Sequence, residues 1–246
     1  MAVEATQEFF RVVDAIENRG LDSSISLDLS HIGLAVDPEL AFEHASGLAR
    51  RAADARIEMM ISMEGSERTE DVLRTYRRLS ERFENVGITL QAYLYRTPED
   101  FEDALKRPGK IRLVKGAFEE SKDMAMPRGE ELDAAYRSFM ERLLESGHVE
   151  SISTHDAFIL VHAYQFTERN GLATGEAEFE MLYGAEPERL QTMHELGYKT
   201  RVYLPYGTEW YLYVCHRLAE YPPNIYRAIA DAVEYRTGLT GASDDA

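Results

Sequence analysis

The chain has 246 residues, 44% of them apolar, enough for one large domain with a substantial core. Acidic residues outnumber basic ones 44 to 27, a net charge of −17, which argues against nucleic acid or an anionic membrane as a partner, since both need clustered cations. No apolar run approaches a membrane span, the N-terminus lacks a signal-peptide pattern, and the lone Cys215 excludes an internal disulfide and a cysteine-built metal site, so a cytoplasmic protein is expected.

Helical spacing covers residues 3–18, and a β-rich run at 25–29 follows the turn residues Gly20 and Asp22. A helix over 38–55 leads to a strand over 57–63, then a helix over 69–83 and a strand over 87–94. Thr97 is placed to cap a helix starting at Pro98, with Asp100 adding early negative charge. The strand 111–114 follows. Helices at 129–146, 157–170 and 187–196 then alternate with strands at 149–153, 178–182 and 200–204. A helix over 209–220 stops at Tyr221-Pro-Pro223, a further helical piece follows, and the tail 237–246 reads as disordered.

Seven strands alternating with helices imply a parallel sheet. Even repeats, polar groups after nearly every strand and no glycine-rich dinucleotide turn favour a (βα)8 TIM-type barrel over a doubly wound sheet. The expected organisation is one barrel domain over 1–236 that lacks the first of its eight strands.

The strand Ile111-Arg-Leu-Val114 is the most informative. It carries a cation at Arg112 and runs into Lys115-Gly116-Ala117, which is poor chemistry for a buried strand but suits one opening onto a ligand. Cations snorkelling from an edge strand are the alternative. The other strand ends offer Asp28, Ser62 with Glu64, Gln91, Thr154-His155-Asp156, Glu178 with Glu180, and Tyr203. Asp156 stands either as cap of the following helix or as the carboxylate orienting His155. His155 with Glu178 or Glu180 lacks metal-site spacing, and no metal is expected. In the last helix Tyr213, His216, Arg217 and Glu220 share roughly one face, and Trp210, Tyr211 and Tyr213 crowd the same helix, either as a salt-bridged stripe or as part of a site.

Six motifs in order carry a resemblance: Leu90-Gln-Ala-Tyr-Leu94, Arg112-Leu-Val-Lys-Gly-Ala117, Ser153-Thr-His-Asp156, Glu178-Phe-Glu-Met-Leu-Tyr-Gly184, Arg201-Val-Tyr-Leu-Pro-Tyr-Gly207 and Tyr213-x-x-x-Arg217-x-x-Glu220. The chain resembles the proline dehydrogenase family of FAD-dependent barrels over residues 25–224. The resemblance implies FAD contacts at Gln91, Arg112, Lys115, Gly116, Ala117, Thr154, His155 and Glu220. It implies catalytic roles for Arg112, Leu113, Tyr203 and Arg217, with Leu113 and Tyr203 packing against the substrate ring. Substrate-binding positions would be Asp28, Ser62, Phe118, Tyr213, His216 and Arg217. The implied reaction oxidises L-proline to 1-pyrroline-5-carboxylate, with electrons passing to a quinone-type acceptor. An enzyme of that kind could sit peripherally on the inner face of the membrane, and its oligomeric state stays open, a homo-oligomer included.

Four positions depart from the resemblance. The family usually has lysine at Asp28, aspartate at Ser62, tyrosine at Phe118 and two adjacent arginines at His216-Arg217. The flavin half is kept while the amino-acid half is altered. Another cyclic or secondary amine as substrate, or flavin binding without proline turnover, therefore stand beside proline oxidation.

Only five residues are lysines (106, 110, 115, 122 and 199), and an acid-rich, lysine-poor surface suits a high-salt cytoplasm where screening removes self-repulsion. A halophilic protein is expected to melt at steeply rising temperature as salt reaches molar levels. A melting curve indifferent to salt would remove that expectation.

Overall fold

The computed structural model describes residues 1–207, and the chain divides into compact units at Met1–Tyr203 and Leu204–Ala246. The expected helix at 209–220, with Tyr213, Cys215, His216, Arg217 and Glu220, and the expected tail at 237–246 lie outside the described residues. The first unit opens with α1 (Ala2–Arg19), β1 (Ile25–Leu27), α2 (Pro38–Asp54), β2 (Met59–Ile61) and α3 (Thr69–Ser80). It continues through β3 (Val86–Gln91), α4 (Thr97–Ala104), β4 (Ile111–Val114) and α5 (Glu130–Ser146). The last elements are β5 (Glu150–Ser153), α6 (Ala157–Asn170), β6 (Glu178–Leu182), α7 (Pro187–Glu195) and β7 (Lys199–Tyr203).

The seven strands form one parallel sheet in sequence order, as expected for a βα barrel. Among the described residues no strand joins β7 to β1. Strands alternate strictly between faces. Ile25, Leu27, Ile61, Ile88, Leu90, Ile111, Leu113, Ile152, Phe179 and Met181 are all 3% exposed or less, and they make the apolar layer beneath the helices. Between them stand Ser26, Thr89, Arg112, Ser151, Glu178 and Glu180, in the alternate register. Those side chains reach across strands that are not neighbours. Arg112 of β4 bonds to Ser26 of β1 and Glu180 of β6, which is achievable only from the concave side of a strongly curled sheet.

Several expected boundaries shift, among them the ends of β1 at Leu27 and of α3 at Ser80. The strand expected over 87–94 ends at Gln91 because the Thr97 hydroxyl donates to the Gln91 carbonyl at 2.5 Å and the Leu94 amide bonds the same oxygen, turning the chain. Thr97 therefore anchors the preceding turn and is not the helix cap; Arg96 occupies the cap position without a side-chain bond to the helix amides. The strand expected over 57–63 is confined to Met59–Ile61, since the Ile57 amide is taken by the Ala52 carbonyl at the end of α2.

The N-terminal end of the barrel is closed by charge. Glu178 was expected at the mouth, but it opens β6 and so lies at the opposite end. There Lys110 Nζ reaches both Glu178 oxygens at 3.1 Å and Glu58 at 2.8 Å, and Arg201 Nε donates to Glu178 at 2.9 Å. Glu150, buried beside this network, lacks such a partner: burial first, then repulsion from Glu178, push its carboxyl up to about 7 from 4.5. The folded state thus holds an extra proton between those values. The stability tied to that proton is intact below about 4.5 and lost as pH rises through about 7. Glu150→Gln is expected to gain on the parent chain by about 3 kcal/mol between about pH 5 and about pH 8. Urea unfolding at both pH values measures this, and a gap that does not change with pH would show that Glu150 stays ionised in the fold.

Candidate active site

Arg112 is the centre of the barrel's C-terminal half. It is 5% exposed, with Nε at 3.0 Å from Glu180 Oε1 and Nη2 donating to Glu180 Oε2 at 3.1 Å. Its Nη1 donates to Ser26 Oγ at 2.9 Å, and Ser26 Oγ lies 3.4 Å from Ser62 Oγ. The guanidinium carbon sits 5.3 Å from the centroid of the Tyr203 ring. A fork-like cation carried by β4 is thereby held from β1 and β6, with the Tyr203 ring of β7 beside it. Glu180 is 2% exposed; burial raises its carboxyl pKa, Arg112 opposes that, and Glu178 adds to it.

Tyr203 ends β7 half-buried. Burial raises its phenol, which Arg112 counteracts and the Asp28 and Glu180 carboxylates reinforce, so it stays neutral at ordinary pH. Asp28 itself, at the end of β1, is partly exposed with His31 at 4.0 Å. Gln91, 2% exposed, donates from Nε2 to the Glu64 carbonyl at 3.1 Å, and the Glu64 carboxylate accepts from the Ser30 amide at 2.9 Å. Glu64 therefore holds the turn that follows Asp28. The structure brings Arg112, Ser62 and Tyr203 together, with Asp28 beside them.

Other expected residues stand elsewhere. Leu113 was expected against a substrate ring, but its neighbour Arg112 occupies the concave side and alternation turns Leu113 to the helices, where it is fully buried. Lys115 shares that outward parity. Its Nζ donates to Asp133 of α5 at 2.5 Å and to Asp156 at 2.8 Å, which ties the end of β4 to the starts of α5 and α6. Asp156 is the cap of α6, accepting from the Phe158 and Ile159 amides at 2.9 and 3.4 Å. Thr154 Oγ1 accepts from the Asp156 amide, and His155 Nε2 accepts from the Leu182 amide at 3.4 Å, so both sit at the ends of β5 and β6. Gly116 adopts φ +125°, and a Cβ there would lie 2.3 Å from the Tyr93 ring, so only glycine lets the chain after β4 pass that ring. Ala117 is partly buried beside it, and Phe118 is 46% exposed.

Two residues that the sequence reading did not single out belong to the site. Ser26 is the polar member of an Ile-Ser-Leu alternation, which is the signal that would have placed it inward. Leu182 shares the concave parity of Glu178 and Glu180 and is the register partner of Tyr203. That parity puts an apolar side chain on the concave face, where the outward-turned Leu113 places none.

The donor set fits an isoalloxazine ring. Arg112 would offer a cation to a ring that gains negative charge on reduction, and Gln91 would offer an amide. Two buried hydroxyls on the strands flanking Arg112, Thr89 Oγ1 and Ser151 Oγ, have no hydrogen-bond partner among the described residues. Such orphaned polar atoms are costly in a closed core and ordinary beneath a polar ligand. Among the described residues no cluster of His, Cys, Asp and Glu could hold a metal ion, and no helix is long and apolar enough to cross a membrane.

The family model described as proline dehydrogenase matches residues 2–220. Proline dehydrogenase 2 of Bacillus subtilis (strain 168) is 36% identical over 225 residues, covering 92% of this chain and 74% of that protein. Proline dehydrogenase of Deinococcus radiodurans is 31% identical over 226 residues, 90% of this chain and 73% of that one. In fold, the chain is similar to proline utilization A (PutA) from Bdellovibrio bacteriovorus inactivated by N-propargylglycine, with a TM-score of 0.81 at 19% identity. That match covers 88% of this chain but 28% of the larger one, and a Bradyrhizobium japonicum PutA variant matches at TM-score 0.75.

Proposed function

The chain belongs to the proline dehydrogenase family, and on that premise we propose that it oxidises L-proline to 1-pyrroline-5-carboxylate with bound FAD, in the cytoplasm, passing electrons to a quinone-type acceptor. The observation that supports this reading best is Arg112: a guanidinium buried inside the barrel and held from β1 and β6 at the end where polar strand termini gather. A bound flavin would supply the two-electron acceptor for the hydride that leaves the carbon next to the ring nitrogen.

The chain's own groups would do the rest. Arg112 would stabilise the negative charge of the reduced cofactor, and preorganised charge of this kind is a major source of rate acceleration. Leu182 and the Tyr203 ring form a wall for the pyrrolidine ring and exclude water from it. Tyr203, kept neutral by burial, can hydrogen-bond without adding charge. The carboxylate of proline would be held by Arg217 with His216, which lie outside the described residues.

Asp28 favours a second reading. Its carboxylate stands at the mouth close enough to raise the Tyr203 phenol, and an anion there repels the carboxylate of an amino acid. A cyclic or secondary amine lacking that carboxylate would meet Asp28 favourably.

Anaerobic addition of proline to the yellow protein is expected to bleach the flavin. Bleaching only by amines without a carboxylate would select the second reading, and protein that takes up no FAD would overturn both. Under the second reading Asp28→Asn should improve proline binding by about tenfold, the worth of one charge-assisted contact. An unchanged KM for proline would mean that Asp28 does not face the substrate.

A further inference from the structure

Arg112 cannot lose its proton, so its effective charge depends on what surrounds it. Among the described residues the carboxylate that reaches it is Glu180, through two contacts at 3.0 and 3.1 Å. Glu180 is in turn fixed. It is 2% exposed, Ser153 Oγ donates to its Oε1 at 3.4 Å, and its strand is locked to β5 by the Thr154 amide bonding the Glu180 carbonyl at 3.2 Å. The second anchor of Arg112, Ser26, is neutral and fixes direction without changing charge.

A stability role alone explains this pair poorly. Two buried ions of opposite sign often contribute no more than apolar residues of the same shape, because desolvation offsets their attraction. An arginine also has five donors, and its fork is held here on one edge by Glu180 while Nη1 points to Ser26 and the Tyr203 side. Thr89 and Ser151, whose hydroxyls are orphaned, are the register partners of Arg112 on the two neighbouring strands.

We propose that Glu180 is a positioning residue for Arg112: it clamps the guanidinium in place and, as its counter-charge, limits the positive charge presented to a flavin at this end of the barrel. The inference rests on the flavin reading above. Glu180 would thereby hold the reduction potential of the bound cofactor below the value an unpaired arginine would give it.

The test is a redox titration of the FAD-loaded protein and its Glu180→Gln variant, alongside FAD affinity measured by fluorescence. Glutamine keeps the length and can still accept from Arg112, but it removes the charge. The oxidised-to-reduced equilibrium should shift toward reduced flavin by about tenfold, which is about 30 mV for a two-electron couple. A purely structural Glu180 would instead change melting temperature and leave the potential where it was, and that result would overturn the inference. Glu180→Asp decides the matter if the glutamine variant does not fold. It keeps the charge but shortens the clamp, so the potential should stay near that of the parent chain while FAD binds about tenfold more weakly. Parent-like FAD affinity in that variant would equally overturn the clamp. A parent protein that takes up no FAD would remove the flavin reading itself, whereas FAD uptake with an unmoved potential would sink this inference alone.

Discussion

Successive side chains of a strand must point to opposite faces, and in a curled parallel sheet those faces are different worlds. One is covered by helices and stays apolar. The other converges on a narrow interior where side chains from distant strands meet. Nearly everything specific to this protein follows from which residues fall on which parity. Arg112, Glu180, Ser26 and Tyr203 fall inward and meet, although they are separated by up to 177 positions along the chain. Leu113 and Lys115, each one step or three from Arg112, fall outward and serve the helical layer.

The fold was largely legible because its signals are local. Period-two and period-3.6 patterns, Pro38 and Pro187 at helix starts and Asp156 as a cap can all be read within a few residues. The misplaced end of β3 came from contacts that depend on what the next turn does. Thr97 looks like a cap until its hydroxyl is seen to hold the carbonyl of Gln91 six residues back.

The site was only partly legible, for a different reason. A motif such as Arg112-Leu-Val-Lys115 identifies residues that travel together but not the direction each faces. Applying strand alternation to it would have separated Leu113 and Lys115 from Arg112 and drawn attention to Leu182 through Glu180. No reading of spacing could have paired Arg112 with Glu180, because that contact exists only when the sheet curls. Nor does the count of charges reveal that the acidic excess has two buried tasks, closing the barrel floor around Lys110 and restraining Arg112 near its mouth.

The two bonds of Lys115 have a mechanical meaning. Asp133 lies in the first turn of α5 and Asp156 caps α6, so a single ammonium group ties the starts of two helices to the end of the strand that carries Arg112 three residues earlier. The inner face of β4 carries the chemistry and its outer face carries this rivet. The stiffness of the peptide backbone between residues 112 and 115 therefore makes the helical shell part of the aim of the guanidinium. The rivet thus sits on the opposite face of β4 from the guanidinium whose direction it helps to fix.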